Sequence, residues 1–258
     1  MKRMAIALAA LAALAAGCDY GTTGARPVGA IRSPSSASSP SAPSSPSSTP
    51  APTPTRSELP ARFRGTVSPL PSALAAEMRG GTWHVGCPVP LSALSLLTLR
   101  YWGFDGKVHE GSMVVNTRVA HGVVTVFKRL FDARFPIKVL HLATPYRGPQ
   151  DDNPYDKRDY TVGFNCRPVL TAHGEGRSFS QHAFGLAIDI NPMQNPYVAA
   201  DGFVKNVYAR RYKDRSLHGQ GIIRPGDVVV RAFAAIGWKW GGYWISAKDY
   251  MHFSLTGR

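Results

Sequence analysis

A tract of serine, proline, alanine and threonine from Arg32 to about Arg56 limits what this chain can fold into. Its apolar side chains are too few to offset the conformational entropy lost on folding, so the tract is predicted to be a disordered, semi-extended spacer. A globular domain is therefore expected only after it, over residues 61–258. That segment is long enough to bury one ample hydrophobic core.

Residues 1–18 have the order of an export signal. A short basic stretch precedes an alanine- and leucine-rich run, Ala5–Ala16, which is too short to span a bilayer. The small residues before Cys18 resemble a bacterial lipoprotein signal with a lipidated cysteine, although Ala15 stands where such signals prefer leucine. A plain secretory signal with an incidental Cys18 is the alternative. We expect an exported protein at the outer face of the cytoplasmic membrane or in the cell wall. Residues 19–60 would form a linker, and the lipid anchor would be its only membrane contact.

The chain is strongly basic, with a net charge of +14 and a pI near 10.0. Such a balance predicts an anionic partner, which could be nucleic acid, an acidic lipid or an anionic polymer of the cell wall. Export removes nucleic acid from reach, so anionic cell-wall polymers are the expected partners and nucleic acid is not.

The chain has three cysteines. If Cys18 carries lipid, Cys87 and Cys166 are left as a candidate disulfide, the state that an oxidising compartment favours. Two buried free thiols are the alternative. Their spacing does not fit a zinc knuckle.

Hydrophobic patterns predict helices and short strands in irregular order, which favours an α+β fold with a small, largely antiparallel sheet flanked by helices. The predicted helices are Pro71–Met78, Leu91–Leu99, Val119–Phe135 and Val228–Ile236. The predicted strands are Tyr101–Phe104, Met113–Val115, Ile137–Leu142, Leu186–Ile190 and Met251–Leu255. Residues 144–177 are predicted to be mostly loop, because glycine, proline and short polar residues are scattered throughout.

The stretch SQHAFGLAIDI, residues 180–190, places His182 and Asp189 in an apolar run. Buried charge is costly unless it is paired or bound to a metal. Gly185 allows a tight turn that brings His182 back toward Asp189, which shares a strand face with the small Ala187. A hydrogen-bonded pair in the core explains this pattern as well as a metal site does.

A second acid and histidine, Asp249 and His252, precede the last predicted strand. Two histidines and one carboxylate are a common ligand set for catalytic zinc. His182, Asp189 and His252 are therefore candidate ligands for one Zn²⁺ per chain, and Asp249 is the candidate general base. The remaining histidines are predicted to be surface or packing residues: His84, His109, His121, His141, His173 and His218.

The two motifs, Ser180-x-His182-x-x-Gly185-x-Ala187-x-Asp189 and Asp249-x-x-His252, resemble the zinc peptidoglycan peptidases. That family contains D-alanyl-D-alanine carboxypeptidases and L-alanyl-D-glutamate endopeptidases. The resemblance covers roughly Gly86 to the C-terminus and implies a fold shared with the Hedgehog signalling domain. The aromatic, glycine-broken stretch Trp238–Trp244 is similar to the endopeptidase-like branch. Many relatives have glutamate where Asp249 stands.

The resemblance implies a zinc-dependent peptidase that hydrolyses peptidoglycan stem peptides, of the D-alanyl-D-alanine carboxypeptidase type. An L-alanyl-D-glutamate endopeptidase and a non-catalytic wall-binding module are the alternatives. The family also places an arginine near the metal, and here Arg147 and Arg167 are candidates, with Arg167 favoured beside Cys166. Ser180 and Trp240 are candidate substrate contacts, although a local loop hydroxyl and core packing explain them equally well.

Overall fold

A computed structural model describes residues 61–148, 156–171 and 174–257 of the chain. All of them lie in one compact unit, Ser57–Arg258. The predicted signal peptide with Cys18, the linker 19–60 and His173 lie outside the described residues. Within the described ranges, no helix has the length and apolar character needed to cross a membrane.

The described elements are short helices and strands in mixed order. The α-helices are α1 (Ser72–Met78), α2 (Ala120–Asp132) and α3 (Val228–Ala234). The strands are β1 (Gly65–Pro69), β2 (Leu94–Trp102), β3 (Val108–Asn116), β4 (Val139–Leu140), β5 (Tyr160–Thr161), β6 (Pro168–Thr171), β7 (Gly174–Phe179), β8 (Ala187–Asp189), β9 (Tyr197–Val198), β10 (Lys239–Trp240), β11 (Lys248–Asp249) and β12 (His252–Ser254). Short 3-10 helices are described at Leu91–Ala93, Thr117–Val119, Gln181–Phe184, Arg210–Lys213 and Gly241–Tyr243.

The two longest described strands, β2 and β3, form an antiparallel sheet with β1 in the order β1-β2-β3. Along β2, Leu97, Leu99 and Tyr101 are buried while the residues between them are partly exposed. This period of two covers one face of the sheet with apolar side chains. Helix α2 packs on that face with the stripe Val123, Val126, Phe127 and Leu130, which repeats at helical spacing.

A second antiparallel sheet, in the order β10-β12-β8, carries the candidate metal ligands. In β8 and β12 the apolar residues Ile188 and Phe253 enter the core, where the Phe253 ring stacks on Phe233 of α3 at 4.2 Å. The core thus fixes one face of each strand. The polar residues next to Ile188 and Phe253, which include Asp189 and His252, lie on the opposite face. Two-stranded pairings β9-β11, β6-β7 and the parallel β4-β5 complete the described sheets.

The α+β class predicted from the sequence is confirmed. The strands form several small, mostly antiparallel sheets, whereas the sequence predicted a single small sheet. The helix predicted at Leu91–Leu99 is wrong: Leu94–Trp102 is β2, and only Leu91–Ala93 is helical. The predicted loop 144–177 contains β5, β6 and part of β7. The strand predicted at Ile137–Leu142 is limited to Val139–Leu140.

Candidate metal centre

His182 is held in a one-turn 3-10 helix, Gln181–Phe184, whose first backbone amides are satisfied by Ser180. The Ser180 hydroxyl accepts a hydrogen bond from the His182 amide at 3.3 Å. Gly185 ends the turn with φ +66°, and a Cβ there would lie 2.5 Å from the Asn116 amide nitrogen. The turn therefore requires glycine at 185, both for the left-handed backbone and for the close approach of β3.

Asp189 and His252 face each other across the β8–β12 pairing, where they are direct register partners. Nδ1 of His252 lies 3.0 Å from Oδ1 of Asp189. Both side chains are buried, with Asp189 8% and His252 5% exposed. Register alone therefore brings two of the three candidate ligands together.

The third candidate ligand, His182, completes a buried cluster of side-chain atoms within 4.8 Å of one another. Its Nδ1 lies 2.7 Å from the carbonyl oxygen of Gly163, which can only accept, so Nδ1 is the protonated nitrogen. Nε2 lies 3.1 Å from Oδ2 of Asp189, yet it has no hydrogen-bond partner. In the neutral ring this nitrogen directs a lone pair at a carboxylate.

Two acceptors held this close are stabilised by a cation between them, and a neutral imidazole with a carboxylate is a donor set that zinc binds. Burial lowers the pKa of His182, and Asp189 only partly opposes this, so the ring is kept in the neutral form that a metal requires. Burial favours protonation of Asp189, but His182 and His252 hold its pKa well below the ordinary range. The residues present therefore fit a zinc ion.

Asp249 lies in β11, paired with Tyr197 of β9, three residues before His252. The residue is partly exposed, but its Oδ1 is shielded from solvent and has no hydrogen-bond partner. Burial raises the pKa of Asp249 to about 7, and the negative charge of Asp189 adds to the rise while His252 and Arg167 oppose it. Such a carboxylate is suited to exchange a proton near neutral pH.

The glycine-broken aromatic stretch before Asp249 is explained by packing. A Cβ at Gly241 would lie 2.6 Å from the carbonyl oxygen of Asp249, and one at Gly242 would meet the Trp240 ring at 2.4 Å. The indole Nε1 of Trp240 donates to the carbonyl oxygen of Tyr250 at 2.8 Å. These contacts fix the backbone on both sides of Asp249.

His182, Asp249 and His252 line a cleft of about 910 Å³. The β6–β7 pair, residues 192–197 and residues 204–209 contribute most of its other lining. Its aromatic and apolar members include Phe179, Met193 and Trp244, whose ring centroid lies 5.8 Å from that of His252. A cleft of this size accommodates several residues of a peptide.

The two candidate arginines differ in their position relative to the metal ligands. Arg167 lines the metal cleft, and its positive charge acts on both His182 and Asp249. Arg147 lines a smaller adjoining pocket of about 500 Å³, which Arg167 also lines, and is absent from the lining of the larger cleft. Arg167 is therefore the arginine placed to meet a group bound beside the metal ligands.

The two predicted substrate contacts, Ser180 and Trp240, also differ in their position relative to the cleft. Ser180 lines the cleft, whereas Trp240 is 3% exposed and packs in the core. The position of Trp240 gives no support to a substrate contact, because its ring is buried behind Asp249. Trp244, four residues further on, reaches the cleft.

Cys87 and Cys166 are joined in a disulfide across 79 residues of sequence. His84 lies beside them, with Nε2 3.5 Å from the Cys166 sulfur. These three side chains also form a cluster of metal-binding type, but the disulfide occupies both sulfurs. The crosslink immediately precedes Arg167 and thus anchors the backbone that carries this arginine to the cleft.

Sequence reasoning missed a polar network behind the cleft. Asn195 is fully buried and contacts the backbone of Ile190, Asn191, Gly221 and Ile223 through its amide group. The Arg215 guanidinium donates to Asn195 Oδ1 at 3.1 Å and lies 4.2 Å from the Tyr250 ring centroid. This network fixes the turn after Asp189 and the residue beside Asp249. The sequence signal was weak, since only the asparagines of NPMQNP at 191–196 mark it.

A buried His–Asp–His cluster beside an unpartnered carboxylate oxygen, at the wall of a peptide-sized cleft, is the arrangement of a metal-dependent hydrolase. Residues 173–255 match a family model described as D-alanyl-D-alanine carboxypeptidase. The match confirms the resemblance predicted from the two motifs, and it supports a metallopeptidase that acts on peptidoglycan. No curated protein and no solved structure matches the chain.

Proposed function

We propose that this chain is a zinc-dependent peptidase that hydrolyses peptidoglycan stem peptides, with D-alanyl-D-alanine carboxypeptidase activity. The observation that carries the proposal is the buried cluster of His182, Asp189 and His252, whose ligand atoms lie within 4.8 Å of one another. The family match over residues 173–255 supplies the class of substrate.

In the proposed mechanism, His182, Asp189 and His252 hold Zn²⁺. When bound, zinc would polarise the scissile carbonyl and lower the pKa of a water toward about 7. Asp249, which lines the cleft, accepts the proton of the attacking water. It then donates that proton to the leaving amine, so one carboxylate serves as base and then as acid.

Arg167 is proposed to stabilise the negative charge that develops on the substrate. Its guanidinium stays ionised and can bind two oxygens at once, either of a terminal carboxylate or of the tetrahedral oxyanion. Ser180 orients the His182 backbone through its hydroxyl. The proposed roles are thus three. His182, Asp189 and His252 bind the metal, Asp249 transfers the proton, and Arg167 stabilises the negative charge.

L-alanyl-D-glutamate endopeptidase activity is the second candidate. It is favoured by the extent of the cleft, whose lining runs from His182 and His252 to residues 204–209. A non-catalytic wall-binding module is the third, and the presence of Asp249 beside the candidate metal ligands, with a pKa raised to about 7, argues against it.

We also propose that the protein works outside the cytoplasm, tethered through Cys18 by the linker 19–60. The Cys87–Cys166 disulfide supports this location, because such bonds persist in oxidising compartments.

Two substitutions test the mechanism. Asp249→Asn is expected to keep about one zinc per chain and to lower kcat by about 10²–10⁴-fold, because only the proton acceptor is removed. His182→Ala is expected to lose both zinc and activity. The measurements are zinc content by elemental analysis and turnover of purified muropeptides. An Asp249→Asn enzyme with wild-type turnover would refute the assignment of the base.

Mass spectrometry of the digest distinguishes the candidate activities. Loss of one alanine from a pentapeptide stem identifies a carboxypeptidase, whereas release of a stem beginning at D-glutamate identifies the endopeptidase. Zinc-loaded protein that cleaves neither bond but still binds the peptides would support the wall-binding module.

A further inference from the structure

A basic surface with interleaved aromatic rings borders the cleft. The segment 201–213, DGFVKNVYARRYK, contains four basic residues and one acid. We define the cation–aromatic surface by its side chains: Lys157, Phe203, Tyr208, Arg210, Arg211, Tyr212 and Lys213. The proposed peptidase mechanism uses none of them.

Cations and rings in this surface are in contact with one another. Lys157 Nζ lies 5.2 Å from the Tyr208 ring centroid, and the Arg211 guanidinium lies 5.0 Å from that of Tyr212. The Arg210 guanidinium lies 5.9 Å from the Phe203 ring centroid. Stacking of this kind holds flexible cations in place at a small entropic cost. The cations thus contact the rings while their charged groups remain exposed.

The same side chains are accessible to a large ligand. Phe203 and Tyr208 are each 40% exposed, and Lys157, Arg211 and Lys213 are exposed. Exposed rings therefore lie beside exposed cations on one surface. They suit a ligand that offers both flat apolar faces and negative groups.

The surface is continuous with the cleft through the backbone that carries it. Val204, Lys205 and Ala209 line the cleft, and Val204 and Ala209 pack with Tyr250, the neighbour of Asp249. The Asn206 amide donates to the Asp156 carbonyl at 2.7 Å and so connects the segment to the chain beside Lys157. A polymer lying on the surface would therefore pass the mouth of the cleft.

We propose that the cation–aromatic surface binds an anionic glycan, a polysaccharide that carries phosphate or carboxylate groups. Sugar rings would pack against the exposed parts of Phe203 and Tyr208, and the anionic groups would pair with Lys157, Arg211 and Lys213. The choice of a glycan over lipid or nucleic acid rests on the proposed function, because peptide stems are attached to a glycan. Binding itself does not require hydrolysis.

The test measures binding by the full chain carrying Cys18→Ser, so that no lipid anchor contributes. The fluorescent probes are polygalacturonate for carboxylate, phosphorylated dextran for phosphate, and polyphosphate for charge without sugar rings. Charge reversal with Lys157→Glu, Arg211→Glu and Lys213→Glu is expected to weaken glycan binding by at least about 10-fold. Tyr208→Ala is expected to weaken glycan binding by about 5-fold and to leave polyphosphate binding unchanged.

Matched controls separate the surface from net charge. The triple variant Arg79→Glu, Lys107→Glu and Arg129→Glu makes the same change in charge at exposed positions outside the surface, and Tyr243→Ala removes another exposed ring. Both controls are expected to bind glycan as the wild type does. Equal losses in the control triple variant would overturn the proposal. Tighter binding of phosphatidylglycerol vesicles or oligo(dT) through the same residues would also overturn it.

The two proposals fail in different ways. If the protein binds both glycans through this surface but cleaves no muropeptide, the peptidase proposal fails alone. If it cleaves muropeptides and Tyr208→Ala leaves glycan affinity unchanged, the glycan site fails alone.

Discussion

Asp249 is held by its surroundings in a state that suits proton transfer. Its Oδ1 is inaccessible to solvent and lacks a partner, and burial raises its pKa to about 7. An exposed aspartate would be a weaker base at neutral pH, since its proton affinity is about three orders of magnitude lower. No donor engages this oxygen, so its lone pairs are not committed to another hydrogen bond.

Activity should therefore depend on the ionisation of Asp249. The carboxylate form is the base, so kcat/KM is expected to rise with pH along an acidic limb set by the pKa of Asp249, which is about 7 without the metal. A bound zinc cation stabilises the carboxylate and moves this acidic limb to lower pH. The measurement is a kcat/KM profile of the zinc enzyme between about pH 4 and pH 9. Asp249→Glu, which keeps a carboxyl group, should retain an acidic limb, and a flat profile in the wild type would contradict the assignment.

Individual residues also show where sequence reasoning reached its limit. The positions of His182, Asp189, His252 and Asp249 could be predicted because each belongs to a short motif. The role of Trp240 could not be predicted, because the sequence does not distinguish an aromatic ring that packs in the core from one that borders a cleft. Its contact with the Tyr250 carbonyl depends on how β10 and β12 pair.

At the scale of elements, the Cys87–Cys166 disulfide attaches the chain before β6 to the segment before β2. Cys166 also donates its backbone amide to the Thr82 carbonyl at 2.9 Å. Since Arg167 follows directly, the crosslink restrains the point at which this arginine enters the cleft.

Removal of the disulfide with Cys87→Ser and Cys166→Ser should lower the free energy of unfolding by about 2–4 kcal/mol. It should also lower kcat/KM, because Arg167 loses its anchored backbone, while zinc content stays near that of the wild type. Denaturant unfolding, elemental analysis and muropeptide turnover check the three effects. Cys18→Ser is the matched control and should leave all three unchanged. Loss of zinc in the double variant would show that the crosslink supports the metal ligands instead.

The element that the sequence predicted wrongly is also informative. Leucines in LSALSLLTL at 91–99 satisfy helical spacing and alternation alike, so periodicity cannot choose between helix and strand. The choice is made by tertiary pairing, since β2 lies between β1 and β3 and accepts hydrogen bonds from both sides. Helix α2 was predictable because its apolar stripe fits only the helical period.

For the molecule as a whole, zinc is expected to contribute directly to stability, because the three ligands come together only in the folded chain. Zinc at 100 times its Kd should stabilise the fold by about 2.7 kcal/mol, which corresponds to a rise in Tm of about 5–10 °C. Thermal unfolding with and without a chelator measures the rise. Asp249→Asn should show the same rise as the wild type, and Asp189→Ala should show little. A full rise in Asp189→Ala would place the metal elsewhere.

The overall α+β class follows from the mixture of short helical and strand patterns, but the arrangement of sheets does not. Pairings such as β9 with β11 join segments of two residues each, too short to carry a pattern of their own. In the sequence, the cation–aromatic surface is likewise apparent only as an excess of positive charge. Its rings and cations come together through the fold of residues 201–213 and through Lys157, which is distant in sequence.

The direct pairing of Asp189 with His252 has a consequence for how the protein is made. His182 and Asp189 are seven residues apart, whereas His252 joins them across 63 residues, only six from the last residue of this sequence. A chain that lacks β12 would hold two of the three candidate ligands and is expected to retain zinc weakly. Zinc content of the purified protein is therefore expected to report the fraction of molecules in which β12 has paired with β8.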